Sequence, residues 1–262
     1  MVPLTATIIT LNEARHIEAC LASVAWADEI LVVDSGSTDG TPDLARARGA
    51  RVITREWPGY AAQKTFADAE ASHDWILSID ADERVTPELA AEIRATLGGG
   101  TAAPGAPGAP GFRIPRVTWH LGRWIRTTDW YPDYQLRLYD RRRARWKPRL
   151  VHESVETDAP PGRLRHELQH YAYRDIAHHL DAINRYTTLA ARQMHEDGRR
   201  AGLLDLVVHP PAAFLRNFVL KRGIADGAAG WIISVMNAHY VFLKFAKLWE
   251  LSRHVRSSTF DV

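Results

Sequence analysis

The first hundred residues alternate between short apolar runs and segments in which apolar side chains recur at helical spacing. The runs are rich in β-branched residues and predict strands. They lie at residues 4–10, 29–34, 51–54 and 75–79. Helices are predicted between them, and Asn12 is expected to cap the first one. This alternation is typical of an α/β fold, with a mostly parallel sheet and helices on both faces.

The second part of the chain changes character twice. Residues 98–111 are almost entirely Gly, Ala and Pro and predict a flexible surface loop without a core. We expect residues 1–97 and 112–174 to be two halves of one domain, and residues 175–262 to form a C-terminal helical region. The tail mixes aromatic and basic side chains, as in a helix that lies in a membrane interface. A helix that covers the sheet or a dimer partner fits the same pattern.

Polar side chains stand where three predicted strands end. Asn12 follows the first strand, Asp34 ends the second, and Asp80 and Asp82 follow the fourth. Ligands of parallel sheets bind at the carboxyl ends of the strands. Asp80 and Asp82 point to the same side of an extended backbone. Two carboxylates so placed suit Mg²⁺ or Mn²⁺. Proteins usually hold such an ion through one or two carboxylates together with substrate phosphates.

Composition narrows the classes of function. The formal net charge of +2 gives no case for nucleic acid as a partner. The single cysteine, Cys20, excludes an internal disulfide, fits a reducing compartment and is predicted to be a core residue. The first residues lack the pattern of a signal peptide, and no uninterrupted run of about 18 apolar residues predicts a conventional membrane span.

Three segments resemble the signature sequences of family 2 glycosyltransferases, which are inverting enzymes with the GT-A fold. They are Thr7–Glu13, Ile30–Asp39 and Leu77–Glu83. Four more are similar to the subgroup that adds glucose to the lipopolysaccharide inner core in Gram-negative bacteria. These are Gly59–Lys64, Val151–Glu153, Lys221–Gly227 and Phe242–Trp249. A dinucleotide-dependent oxidoreductase is disfavoured, because no Gly-x-Gly-x-x-Gly follows the first strand.

The resemblance implies roles for the residues at the strand ends, with residues 1–97 as the nucleotide-sugar-binding half. Asn12 and Glu13 would lie beside the nucleotide, and Asp34 would bind its base or ribose. Asp80 would approach the ribose or a metal-bound water, and Asp82 would bind Mg²⁺ or Mn²⁺. Lys64 would lie near the phosphates, unless it is a solvated helix lysine.

The same resemblance makes residues 112–174 the acceptor-binding half. An inverting transfer needs a base that removes the proton of the attacking hydroxyl. Glu153 is the first candidate, Asp133 the second and Asp129 a distant third. His152 would orient Glu153 or reach the metal, or is a structural histidine. Arg84 stands where some relatives carry a further metal ligand, and an arginine cannot fill that role.

The sequence therefore predicts an inverting glycosyltransferase that moves a sugar from a nucleoside diphosphate donor to a hydroxyl acceptor by metal-assisted displacement. The acceptor would be a lipopolysaccharide core or another cell-envelope glycan. We expect a cytoplasmic protein that contacts the inner face of the membrane through its C-terminal helices. The alternatives are a polyprenyl-phosphate glycosyltransferase and a non-catalytic nucleotide-sugar-binding module. The run Arg141–Arg143 would meet a phosphorylated acceptor or anionic lipid, or is a solvated turn.

Overall fold

The computed structural model describes residues 2–99, 108–147 and 154–257, with side chains as far as residue 253. Its strands are β1 Leu4–Thr10, β2 Glu29–Asp34, β3 Arg51–Thr54, β4 Trp75–Asp80, β5 Glu83–Val85, β6 Gly111–His120, β7 Arg123–Ile125, β8 Asp133–Asp140, β9 Ala144–Trp146, β10 Val155–Thr157, β11 Gly162–Arg163 and β12 Leu168–His170. Its helices are α1 Ile17–Ser23, α2 Thr41–Ala47, α3 Tyr60–Glu70, α4 Pro87–Leu97, α5 Ile176–Glu196, α6 Leu203–Leu215 and α7 Gly227–Ser257. Internal contacts divide the chain into unit 1, Met1–Val117 with Asp133–Tyr171, and unit 2, Thr118–Pro132 with Ala172–Val262.

Unit 1 is built on a mixed sheet. Its strand order is β3-β2-β1-β4-β8-β6-β12-β5. The first four strands are parallel, whereas β8 runs antiparallel to both of its neighbours and β12 runs antiparallel to β5. The predicted parallel sheet is thus present in the first half of the unit, and an antiparallel extension continues it.

The central strands are buried on both faces, which explains their continuous apolar sequences. All seven residues of β1 are buried. Ile8 packs with Ile17 and Cys20 of α1 on one face, whereas Ile9 packs with Ala67 of α3 on the other. Helices therefore cover both faces, as predicted. Cys20 is fully buried, and burial raises the pKa of its thiol, which fits the predicted core role.

One helix start differs from the prediction. Asn12 does not cap α1, which begins at Ile17 after His16 and has no side-chain cap. Asn12 adopts a left-handed backbone conformation with φ of 56°. Its side-chain oxygen accepts the N–H of Thr38 instead. The amide that was expected to start a helix thus joins two loops.

Gly111, the last residue of the predicted loop, is already the first residue of β6. A Cβ atom at this position would lie 2.7 Å from the carbonyl oxygen of Leu138 on β8. The close approach of the two strands therefore requires glycine. Residues 100–107 of the predicted loop lie outside the described residues.

Unit 2 consists of a hairpin and three long helices. The hairpin pairs β7 with the end of β6, where Trp119 and Trp124 meet edge to face. Among the helices, α5 and α7 share a core in which Ala191 packs with Phe245 and Leu248. Lys247 of α7 donates to the backbone and side chain of α5 at distances of 2.7 to 2.9 Å. The predicted C-terminal helical region is therefore packed as a helical bundle.

Two acidic side chains join the loop after β7 to the segment between α6 and α7. Asp129 accepts hydrogen bonds from Arg216 and Asn217, which lie in a π-helical turn at Arg216–Leu220. Asp226 accepts from Thr127 and pairs with Arg123 at 2.9 Å. These bonds engage the carboxylate of Asp129, the third candidate for the base.

Candidate active site

The carboxyl ends of β1, β2 and β4 lie side by side. In the register of these strands, Thr10 pairs with Asp34, and Ile9 pairs with Asp80. Asp34 and Asp80 therefore flank the same end of β1. This is the edge at which open α/β sheets bind ligands.

Asn12 and Glu13 belong to a loop that is tied to the loop after β2. Asn12 Oδ1 accepts the N–H of Thr38 at 2.9 Å, and the N–H of Asn12 donates to Ser37 Oγ at 2.7 Å. The N–H of Glu13 donates to Thr41 Oγ1 at 2.9 Å. These bonds join two of the segments that carry the family resemblance and fix the loops beside the sheet edge.

The carboxylate of Asp34 is buried and holds the turn that follows it. Its Oδ2 accepts the N–H groups of Gly36 and Ser37, each at 2.9 Å. A concavity of about 360 Å³ opens beside this turn. It is lined by Asp34, Gly36, Ser37, Thr38, Gly40, Pro42, Asp43, Arg46 and Thr54.

Two buried cations hold the carboxylate of Asp80. Lys64 Nζ lies 2.9 Å from Oδ1, and Arg137 Nη2 lies 2.5 Å from Oδ2. Burial alone would raise the pKa of Asp80, but Arg137 and Lys64 outweigh it and keep the pKa below its usual range. The side chain of Lys64 is only 2% exposed, so it is not a solvated helix lysine. Asp80 is therefore an ionised acceptor held in one orientation.

Glu83 extends these contacts into a larger network. It is fully buried, and its Oε1 accepts from Arg137 at 2.8 Å and from Arg116 at 3.1 Å. Its Oε2 accepts the backbone N–H of Asp80 at 2.9 Å. Arg116 also contacts Asp133 at 2.6 Å. Three cations thus face three carboxylates, and this balance allows the charges to be buried.

Asp133, the second candidate for the base, is engaged by several donors. Arg116 donates from Nε and Nη2 to Oδ2 at 2.9 and 2.6 Å. Gln135 Nε2 donates to Oδ1 at 2.6 Å. A proton acceptor role for Asp133 requires release from these partners.

The second carboxylate of the motif, Asp82, faces a histidine from the far end of the unit. His170 Nε2 of β12 lies 3.3 Å from Asp82 Oδ2. Burial alone would raise the pKa of Asp82. The charge of His170 and its hydrogen bond outweigh burial, so the pKa of Asp82 lies below its usual value. Nearby, the guanidinium of Arg84 stacks 3.9 Å above the ring of Tyr171. The imidazole nitrogen of His170 and the carboxylate oxygen of Asp82 are both possible ligands for Mn²⁺. The guanidinium of Arg84 stacks on Tyr171 instead.

Glu13 is acted on by the negative charges of other carboxylates at this edge. Burial and, to a smaller extent, the charges of Asp82, Asp39 and Asp80 together raise the pKa of Glu13 to about 7. Asp82 and His170 present a carboxylate oxygen and an imidazole nitrogen 3.3 Å apart, a pair of donors that fits Mg²⁺ or Mn²⁺, and such a cation would relieve this repulsion. Within the described ranges, no three His, Cys, Asp or Glu side chains form a complete ligand set. A cation held at Asp82 would take further ligands from water and substrate phosphates.

Two of the predicted site residues are not described by the structure, and three residues of the site were not predicted. Glu153 and His152, predicted as base and metal ligand, lie outside the described residues. Sequence reasoning missed Glu83, Arg137 and His170. Their contacts join positions that are far apart in the chain, and only the pairing of β12 with β5 brings His170 to the motif.

Comparison with known proteins decides the family. The family model described as glycosyl transferase family 2 matches residues 5–159. The chain belongs to glycosyl transferase family 2. The predicted family is thereby confirmed, and with it the GT-A fold.

Two curated relatives of this family 2 protein match it along almost its whole length. The lipopolysaccharide core biosynthesis glycosyltransferase LpsC of Rhizobium meliloti (strain 1021) is 32% identical over 258 residues, 95% of this chain and 92% of LpsC. An uncharacterized glycosyltransferase of Rickettsia bellii (strain RML369-C) is 31% identical over 267 residues, 98% of this chain and 89% of the relative.

The similarity to a solved structure extends over a smaller part of the chain. Glucosyl-3-phosphoglycerate synthase from Mycobacterium tuberculosis, in complex with Mn²⁺, uridine diphosphate and glucosyl-3-phosphoglycerate, is 26% identical with a TM-score of 0.36. The match covers 45% of this chain and 44% of the synthase.

Proposed function

We propose that this family 2 glycosyltransferase moves a sugar from a nucleoside diphosphate donor to a hydroxyl group of a cell-envelope glycan, with the lipopolysaccharide core as the first choice of acceptor. The observation that carries the proposal is that Asp34 and Asp80 flank the same end of β1, with Asp82 two residues beyond Asp80 and a concavity beside Asp34. The near full-length similarity to LpsC supports the choice of acceptor.

The donor would bind across the carboxyl ends of the first strands. A base or ribose would lie in the concavity beside Asp34, whose lining includes the hydroxyl-bearing side chains of Thr38 and Thr54. Asn12 and Glu13 border the same edge through their bonds to the loop after β2. Asp80, kept ionised by Lys64, is suited to accept a ribose hydroxyl or a metal-bound water.

The leaving diphosphate needs positive charge close to it. Asp82 would hold the cation, and His170 is placed to assist. When bound, Mg²⁺ or Mn²⁺ supplies positive charge to the diphosphate. Lys64, whose Nζ lies 2.9 Å from Asp80 Oδ1, would add a second cation near the phosphates.

Transfer itself is a direct displacement with inversion. The acceptor oxygen forms a bond to the anomeric carbon while the bond to the diphosphate oxygen breaks, and the diphosphate leaves with the electron pair. A carboxylate takes the hydroxyl proton. Glu153 is our first assignment and Asp133 the second, since Asp133 is already engaged by Arg116 and Gln135.

We place this reaction in the cytoplasm, at the inner face of the cytoplasmic membrane, with peripheral contact through the C-terminal helices. This location would bring the enzyme to lipid-linked or core oligosaccharide acceptors. Exposed apolar side chains on α6 support the location.

The test is a turnover assay with UDP-, GDP-, ADP- and dTDP-sugars, with and without Mn²⁺, on core oligosaccharide and on polyprenyl phosphate. We expect Mn²⁺-dependent transfer to the core oligosaccharide. The Asp82→Ala variant should lose activity on the order of 100-fold or more, with an unchanged melting temperature. Transfer to polyprenyl phosphate alone would favour the alternative acceptor. Donor binding without turnover on any acceptor would mean a binding module and overturn the proposal.

A further inference from the structure

The helix α6 and the turns that follow it leave a set of large apolar side chains in solvent. None of the thirteen residues of α6 is buried, and the turns at Arg216–Leu220 and Gly223–Asp226 continue the segment. Leu203, Leu204 and Leu220 are 73%, 77% and 75% exposed. Further exposed side chains are Val207, Val208 and Ile224. We call these six residues the apolar surface of unit 2. Monomeric soluble proteins rarely leave such a concentration exposed without a partner.

The helix is held against the protein along its other side. Leu206 packs on the core that contains Phe245 and Leu248 of α7. His209 stacks on Phe245 with ring centroids 4.9 Å apart. α6 therefore already packs against α7 within the chain. A missing contact with the helical bundle does not explain its exposed apolar side chains.

Aromatic side chains border this surface. Phe214 and Phe218 stack on each other at 5.5 Å, and Trp231 meets both rings edge to face at 5.0 and 5.2 Å. Trp231 remains 51% exposed. A packed aromatic group with an open tryptophan is typical of the boundary between lipid chains and headgroups.

The charges on the same segment have one sign. Residues 206–225 contain no Asp or Glu, whereas Lys221 and Arg222 are exposed beside Leu220. Asp205, at the start of α6, is engaged by the N–H of Gly202 and by His209. The surface therefore offers apolar side chains with unopposed positive charge, the combination that anionic lipid attracts.

A second copy of the chain fits this surface poorly. A two-fold interface places a patch against itself. Such an interface would bring Lys221 and Arg222 of both copies into one contact area, and residues 206–225 supply no carboxylate to pair with them. Like charges at an interface oppose association.

Crossing the membrane also fits poorly. The segment Leu203–Leu220 is the one described helical stretch long and apolar enough for a span, with a mean hydropathy of 1.3. Its 18 residues correspond to about 27 Å of helix, against about 30 Å of hydrocarbon. It also contains Pro210, Pro211 and the cation Arg216, and one side already packs on α7.

We propose that the apolar surface of unit 2 lies in the plane of an anionic bilayer, with Leu204, Leu220 and Trp231 inserted at the acyl boundary. Lys221 and Arg222 meet the headgroups. This inference rests on the proposed membrane location, but not on the proposed reaction. It names the surface that makes the contact and the lipid charge that the surface recognises.

The test is sedimentation of the full chain with vesicles of phosphatidylcholine alone or mixed equally with phosphatidylglycerol. We expect binding to the mixed vesicles that weakens with salt. Leu204→Glu with Leu220→Glu should lower the affinity about tenfold or more, since two inserted side chains become anionic. Lys221→Gln with Arg222→Gln should lower it about 30-fold. The matched control Leu180→Glu, at an exposed leucine of α5, should bind like wild type.

Three outcomes would overturn the inference: no binding by wild type, equal binding to neutral and anionic vesicles, or no effect of the paired substitutions. A wild-type dimer that Leu204→Glu with Leu220→Glu dissociates would show that a second copy covers this surface. Binding of nucleotide sugar by the same variants, measured by calorimetry, should match wild type. Asp82→Ala should bind vesicles normally, so failure of the reaction proposal and failure of the membrane proposal give different results.

Discussion

Removal of Arg137 is the sharpest perturbation of the buried charge network. Its side chain is 6% exposed, and its Nη2 lies 2.5 Å from Asp80 and 2.8 Å from Glu83. Arg137→Met leaves two cations, Lys64 and Arg116, with three carboxylates. Glu83 has no exposure, so water cannot replace the lost guanidinium there.

The expected cost follows from this geometry. Removing one partner of a buried ion pair costs about 3 to 5 kcal/mol. Because Asp80 is 28% exposed, water screens part of its charge, and we expect the lower end, about 3 kcal/mol. For a chain of this size, that corresponds to a fall in melting temperature of about 6 to 12 °C.

The assay is hydrogen exchange of the β4 and β8 amides, together with urea unfolding. Arg46→Met is the matched control. Its pair with Asp43 is 53% and 87% exposed, so the cost should stay below about 1 kcal/mol. Adding Glu83→Gln to Arg137→Met should restore part of the loss, because it removes one unpaired charge. A loss below about 1 kcal/mol for Arg137→Met would refute the network as a stabilising element.

Other predictions concern unit 2 and the cation. Burial, then His120 and His178, lowers the pKa of His179 from 6.5 to about 4. Between pH 6.5 and 4 the unfolded chain binds more protons at this histidine than the folded protein does. The free energy of unfolding therefore decreases by about 3 kcal/mol as the pH falls from 6.5 to 4. His179→Phe should remove this slope in urea unfolding. Gly230→Ala should destabilise unit 2 by about 3 kcal/mol or more in the same assay, because its Cβ would lie 1.8 Å from the Gly223 oxygen. Gly202→Ala is the control, with 3.9 Å of space. His170→Ala should weaken Mn²⁺ binding in calorimetry about tenfold.

Much of unit 1 follows from local sequence. The runs that form β1 and β2 are rich in apolar and β-branched residues, because these strands are largely buried, and the predicted bounds of β1, β2 and β3 agree with the structure. Thr86 and Pro87 likewise start α4, where the Thr86 hydroxyl accepts the N–H of Leu89. Such signals act within a few residues and can be recognised in one sequence.

The rest depends on contacts between distant parts of the chain. Asn12 looks like a helix cap until the loop after β2 offers it the N–H of Thr38. Asp80 looks like a free metal ligand until β8 brings Arg137 to it. His170 acquires a role only when β12 pairs with β5. No local pattern records these pairings, because strand order is set by the packing of the whole unit.

The central claim is that the carboxylates at the sheet edge hold a nucleoside diphosphate sugar together with a divalent cation. Calorimetric titration of the nucleotide-sugar panel into wild type and Asp82→Ala, with and without Mn²⁺, tests it most directly. We predict that wild type binds one donor more tightly in the presence of Mn²⁺, and that Asp82→Ala loses this enhancement. Equal donor affinity with and without Mn²⁺ in wild type, or an unchanged enhancement in Asp82→Ala, would contradict the claim.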